Sequence, residues 1–250
     1  MTVPLFDAQC GFGGFAPGSR DTVTAQQLLA EMSRLEVDRA MVRIVPETLE
    51  TDVPGGNEKL YAACDGRREL VPCPVVLPGR GRDVAGEAEQ VDAAIRHGAG
   101  AVWIRPAQDY WSLEDWASGA LFEAAEARRM PVLCLERMVG QDQAARLARR
   151  HPAMPVVLAE TNYRAQRTLL PLLETFANIY VSIGNNYAVH GGVEQLVEAV
   201  GAERILFGSG FPEVEIASAI TMLLYSDVPE DRKRLMGSGN MERLMEEIRR

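Results

Sequence analysis

Short continuous runs of apolar and β-branched residues recur along the chain, and between them apolar residues return every three or four positions. The runs fall at 3–7, 40–45, 70–76, 101–105, 132–136, 156–160, 179–183 and 205–208. An uninterrupted apolar run suits a parallel strand covered on both faces. The intervening stretches at 24–36, 83–97, 121–128, 141–150, 165–176, 193–200 and 214–224 read as amphipathic helices. In the first of them Thr24 and Gln27 have capping-box spacing, and Leu28, Leu29, Met32 and Leu35 share one face. Strand and helix in alternation, with short connections, predict βαβ units and a parallel sheet. Eight such units predict an α/β fold closed into a single (β/α)8 TIM barrel, and 250 residues is its usual size. No glycine-rich fingerprint follows a strand in the setting an open dinucleotide-binding sheet needs. The tail, 229–250, reads as a C-terminal helical extension of two short helices broken at Gly237, Ser238 and Gly239. With no repeat, low-complexity stretch or linker in the chain, residues 1–250 are expected to form one domain.

Composition narrows the function classes. At 47% hydrophobic and 24% charged, the chain can bury a large core and remain soluble. A formal net charge of -9, with no Lys/Arg-rich run, argues against a nucleic-acid partner. No stretch approaches the length of a membrane span, and the N-terminus lacks the basic and apolar regions of a signal peptide. Cys10, Cys64, Cys73 and Cys134 lack metal or redox spacing, as reduced buried thiols of a cytoplasmic protein would.

A barrel of this kind carries its site at the C-terminal ends of the strands. Those ends supply Asp7, Gln9, Cys10 and Gly11 from strand one, Arg43 from strand two and Arg105 from strand four. Strands five and six end in Glu136 and Glu160, the latter followed by Thr161, Asn162 and Tyr163. Strand seven runs into Asn185, Asn186 and Tyr187 with His190 beyond, and strand eight into Gly208, Ser209, Gly210, Phe211 and Pro212.

These residues carry a resemblance. The segment Leu5-Phe6-Asp7-Ala8-Gln9-Cys10-Gly11-Phe12-Gly13 is similar to the opening motif of the amidohydrolase superfamily, in particular the amidohydrolase-2 group of metal-dependent hydrolases and decarboxylases. The block from Gly201 to Pro212 resembles that group's strand-eight motif, and Asn240, Glu242, Arg243 and Leu244 resemble its closing helix. The resemblance implies an H-x-H pair at the positions of Gln9 and Gly11, histidines at Glu136 and Glu160, and an aspartate at Gly210. All five positions differ. In the group these side chains hold a divalent metal and handle the proton of its bound water. Gln9 is a weak neutral ligand and glycine offers none, so no metal or other cofactor is expected here.

The remaining groups allow several readings. Glu136 and Glu160 are expected on neighbouring strands, about 4.8 Å apart. There they are either an acid/base pair or the partners of Arg43 and Arg105 in salt bridges filling the emptied cavity. A third reading has the two glutamates hold a hard cation with water. His190 is either a general base or a solvent-facing or helix-capping residue, while His97 and His151 are expected at helix ends away from the mouth. Gln9, Arg43, Arg105, Asn162, Asn185, Asn186 and Tyr187 are the candidate ligand-binding set. The aromatic stretch 106–116, with Trp111 and Trp116, fits a lid over the pocket or equally a contact between copies in a homo-oligomer. The leading expectation is a metal-free barrel that binds a small polar or anionic molecule. The alternatives are a metal-independent hydrolase or carbon–carbon lyase using Glu136, Glu160 and His190, and a hydrolase with a relocated carboxylate metal site.

Overall fold

The computed structural model describes residues 3–14, 22–45 and 52–250. Eight parallel strands, β1 (Phe6–Phe12), β2 (Arg39–Ile44), β3 (Leu70–Pro72), β4 (Val102–Trp103), β5 (Val132–Leu135), β6 (Val156–Ala159), β7 (Ile179–Ile183) and β8 (Ile205–Phe207), follow one another in sequence and in space. They pair as a three-stranded sheet, β1-β2-β3, and a five-stranded sheet, β4 to β8. Two seams join the sheets into a TIM barrel. At one, Val75 bridges Trp103, and the Trp103 amide donates to the Pro74 carbonyl. At the other, Cys10 bridges Phe211, and the Gly210 amide donates to the Gln9 carbonyl at 2.9 Å.

Strands β5, β6 and β7 are buried from end to end, as their apolar runs require. Between them lie helices α1 (Ala25–Arg34), α2 (Val53–Cys64), α3 (Glu87–Arg96), α4 (Asp115–Ala127), α5 (Glu136–Val139), α6 (Gln141–Arg150), α7 (Gln166–Thr175), α8 (Gly192–Val200) and α9 (Ile216–Leu224). The capping box forms: the Thr24 hydroxyl accepts from the Gln27 amide and the Gln27 side chain accepts from the Thr24 amide. Leu28 and Met32 are the buried stripe of α1.

Several elements depart from the sequence reading. Strand β1 runs Phe6–Phe12 rather than 3–7, because pairing with β2 resumes at Cys10, Gly11 and Phe12 beyond the polar Asp7 and Gln9. Helix α2 went unread, since its opening Val-Pro-Gly-Gly resembles a loop; Asp52 caps it by accepting from the Gly55 amide at 2.9 Å. The expected strand end at Glu136 is instead the first residue of α5. The tail is not broken at Gly237–Gly239. After α10 (Glu230–Arg234) the chain widens into a π-helical turn, Leu235–Gly239, and continues as α11 (Asn240–Glu246). A side chain on Gly237 would put its first carbon 2.6 Å from the Pro4 carbonyl, so glycine here serves close approach to the N-terminal end of β1.

Candidate functional site

The C-terminal mouth is built around an irregularity in β1. Asp7 pairs with Ala40 and Cys10 with Val42, so β1 carries one extra residue in that interval. Such a bulge re-aims side chains at barrel rims. Gln9 is buried, and its amide is bonded at both ends. Nε2 donates to Glu160 Oε1 at 3.0 Å, while Oε1 accepts from the Glu160 amide at 3.1 Å and from the Ser182 hydroxyl at 3.4 Å. Strands β1, β6 and β7 are thereby tied across the mouth.

Glu160 adopts a left-handed backbone conformation, φ 55°, which costs a non-glycine residue on the order of 1 kcal/mol and persists only where its surroundings hold it. The two bonds to Gln9 hold it. Its other carboxylate oxygen accepts from Arg137 Nε at 3.2 Å. Burial pushes the Glu160 carboxyl above the usual range, and the Glu213 carboxylate adds to the rise, while Arg137 and Arg43 oppose it.

Asp7 is fully buried beneath this layer. It accepts from the amides of Gln9 (3.0 Å) and Ser209 (2.9 Å) and from the Ser209 hydroxyl. Desolvation outweighs those bonds and raises its pKa to about 6.

Arg43 reaches inward from β2. Its guanidinium carbon stands 5.0 Å from the centre of the Trp103 ring of β4, and Nη2 is 3.6 Å from Glu213 Oε1, beyond β8. The side chain is 5% exposed, yet among the described residues Nε and Nη2 have no acceptor within hydrogen-bond distance, Glu213 being an ion-pair partner only. These two atoms form the side-on fork by which arginine grips a carboxylate. On Arg105 the same fork is filled: Nε and Nη2 donate to the two oxygens of Asp109 at 2.9 and 2.6 Å.

The structure therefore gathers Gln9, Arg43 and Glu160 with Asp7 and Ser209, which the sequence places at strand ends without a role, and with Ser182 and Glu213, which it does not single out. It separates others. Glu136 is half-buried and bonded to Gln141 Nε2 (3.2 Å) and the Asn162 amide (3.4 Å). The carboxylate acting on Glu160 is that of Glu213, so neither the expected Glu136–Glu160 pair nor salt bridges from these glutamates to Arg43 and Arg105 form. Asn162 caps the turn Tyr163–Ala165 from the surface, and Asn185, Asn186 and His190 are exposed on the following loop. Tyr187 is buried, its ring against the start of α8 near Gly192. His97 stacks on Tyr61 and His151 bonds Glu126, both at helix ends as expected. In the aromatic stretch Trp111 packs against Phe122, whereas Tyr110 and Trp116 face solvent. A groove of about 1490 Å³ lies at the opposite end of the barrel, between the ends of α2 and α3. Its Arg68, Arg96, Glu58 and Asp65 are surface groups, and buried Cys64, Leu70 and Val71 are among the residues that line it.

The donors among the described residues do not make up a divalent-metal site. Among the described residues no three His, Cys, Asp or Glu side chains come together as a metal would require. Gln9 has spent its amide on protein partners. Gly11 has no room for a ligand, because a Cβ there would lie 2.6 Å from the Arg43 carbonyl oxygen and 3.2 Å from Arg43 Cγ.

Among the described residues no helix is long and apolar enough to cross a membrane. No curated protein matches the chain in sequence. A family described as Amidohydrolase matches residues 14–245. Solved structures share the fold at low identity. The 5-carboxyvanillate decarboxylase of Sphingomonas paucimobilis superposes with a TM-score of 0.77 at 14% identity, covering 98% of this chain and 99% of that one. The 2,6-dihydroxybenzoate decarboxylase of Rhizobium gives 0.75 at 14%, covering 98% and 99%. The 5-carboxyvanillate decarboxylase of Novosphingobium aromaticivorans, complexed with manganese and 4-hydroxy-3-methoxy-5-nitrobenzoic acid, gives 0.79 at 10%, covering 97% and 96%.

Proposed function

The chain belongs to the amidohydrolase family, and on that premise we propose that it binds a small anionic molecule at the C-terminal mouth of the barrel without the metal that family resemblance implies. The observation that carries this reading is the buried side-on fork of Arg43, which among the described residues makes no hydrogen bond and only a 3.6 Å ion pair to Glu213. A buried donor without an acceptor is rare in a native protein and requires a reason. A ligand carboxylate supplies two acceptors in the spacing that Asp109 supplies to Arg105. The Trp103 ring backs the guanidinium and fixes its plane. The four described thiols, all buried and unpaired, suit a cytoplasmic setting.

A second reading has one observation in its favour. Glu160 combines a strained backbone with a carboxyl inclined to hold its proton, as an acid/base group of a metal-independent lyase or hydrolase would. Glu136 and His190 stand outside that arrangement.

Calorimetric titration of the metal-stripped chain with benzoate and with succinate, at fixed ionic strength, tests the first reading. Saturable 1:1 binding is expected for one of them, weakened about tenfold or more in Arg43→Met, because a charge-assisted bidentate contact is lost. Equal affinity in wild type and Arg43→Met, or no saturable binding, refutes it. Turnover lost in Glu160→Gln, with ligand affinity retained, favours the lyase or hydrolase reading.

A further inference from the structure

The mouth retains a need for positive charge. Glu160 and Glu213 face it, Asp7 lies beneath, and Arg137 approaches Glu160 only from the surface. The buried cation among them is Arg43. Its stem passes where a side chain at position 11 would begin, because Gly11 is its register partner in the β1–β2 ladder. The closure at Gly11 is made by backbone as well as side chain: the 2.6 Å approach is to the Arg43 carbonyl oxygen, which no change of rotamer relieves. Gly210, where the resemblance implies an aspartate, has φ 78°, and its absent side chain would point at Gln9 Nε2, 3.7 Å away.

We propose that Arg43 is a covalent replacement for the family's metal ion, its guanidinium supplying the fixed positive charge of the mouth and the Gly11–Arg43 contact sealing the space a metal ligand would need. A guanidinium is permanently charged and weakly hydrated, so it can remain buried where a metal would require several anionic or imidazole donors. A divalent ion brought beside it is repelled by a full unit charge at short range. The inference stands apart from the ligand reading, because it concerns what balances Glu160 and Glu213 whether or not an anion binds.

The test uses thermal unfolding of the full metal-stripped chain with added Mn²⁺ or added methylguanidinium, and elemental analysis of retained manganese. Wild type is expected to retain less than about a tenth of an equivalent of manganese and to show no rise in Tm with either additive. Arg43→Met and Arg43→Ala are expected to lose several degrees of Tm, and methylguanidinium is expected to restore part of that loss in Arg43→Ala, where it has a hole to fill. A triple variant, Gln9→His, Gly11→His and Gly210→Asp, is expected to remain without metal because position 11 is closed. One equivalent of manganese in wild type or in the triple variant overturns the proposal. So does an Arg43→Ala chain as stable as wild type and indifferent to methylguanidinium. Should the triple variant fail to fold, the wild-type and Arg43 measurements decide. Anion titration is read separately, so loss of ligand binding with intact rescue would fault the ligand reading alone.

Discussion

Asp7 shows how a buried residue of the mouth sets the pH response of the whole chain. Its folded pKa of about 6 lies above the unfolded value of 3.8, so the folded state holds the proton more tightly. For an acid shifted upward, the stability is fully present below the unfolded pKa and falls as pH rises through the window from about 4 to about 6. Two pH units correspond to about 3 kcal/mol. Asp7→Asn mimics the protonated form: its carbonyl can accept from the Gln9 and Ser209 amides and its NH₂ can donate to the Ser209 hydroxyl. Urea unfolding across pH 4 to 8 should show a falling stability in wild type and a flatter line in Asp7→Asn, with the variant at least as stable above pH 7. A variant that loses stability at pH 7.5 would contradict this. At the same scale, Gln9, Arg43 and Glu160 could be read from sequence because each lies at or near the C-terminal end of an apolar run. Glu213 could not, since it lies in the loop past β8 and meets Arg43 only through the closure of the barrel. Its available signal was proximity to Gly210, the one loop glycine with an assigned counterpart.

Elements were legible where burial is uniform and obscure where a local contact overrides propensity. Strands β5 to β7 lie inside their apolar runs because both faces are covered. β1 was displaced because its polar positions serve the mouth, and α2 was hidden because its glycines fall in the first turn, where a cap substitutes for propensity. The π-helical turn belongs with these, as Gly237 and Gly239 read as breakers although the helix passes through them. Beyond that turn, Asn240 anchors the tail: its Nδ2 donates to the carbonyls of Ala202 and Ile205 at 2.7 and 2.8 Å. Asn240→Ala leaves both buried carbonyls short of a donor and should cost about 2 kcal/mol, lowering Tm by roughly 4–8 °C in a scanning calorimeter. Asn240→Asp should cost more, because a carboxylate would face those carbonyls.

At the scale of the molecule, the order of strand and helix specifies a barrel, while the site depends on which side chains meet across it. Sequence spacing places residues at strand ends but not how far a long side chain extends. Arg43 and Glu213 come from opposite ends of the chain, and the Gln9–Glu160 bonds span 151 residues. The expectation that Glu136 and Glu160 face one another failed for this reason: adjacent strands are neighbours, but α5 begins at Glu136 and turns it aside.

The seam between β8 and β1 has a use that its hydrogen bonds make available. The Gly210 amide is held by the Gln9 carbonyl, on the residue whose side chain grips Glu160. Its deuterium uptake is therefore an internal reporter of the mouth, readable by mass spectrometry without a substrate or an attached probe. A ligand that tightens Gln9 and Glu160 should slow exchange at Gly210 more than at Trp103, in the other seam. Equal slowing at both seams would mean the ring stiffens as one body. A compound collection could thus be screened for occupants of the mouth by one peptide's mass, before any reaction is known.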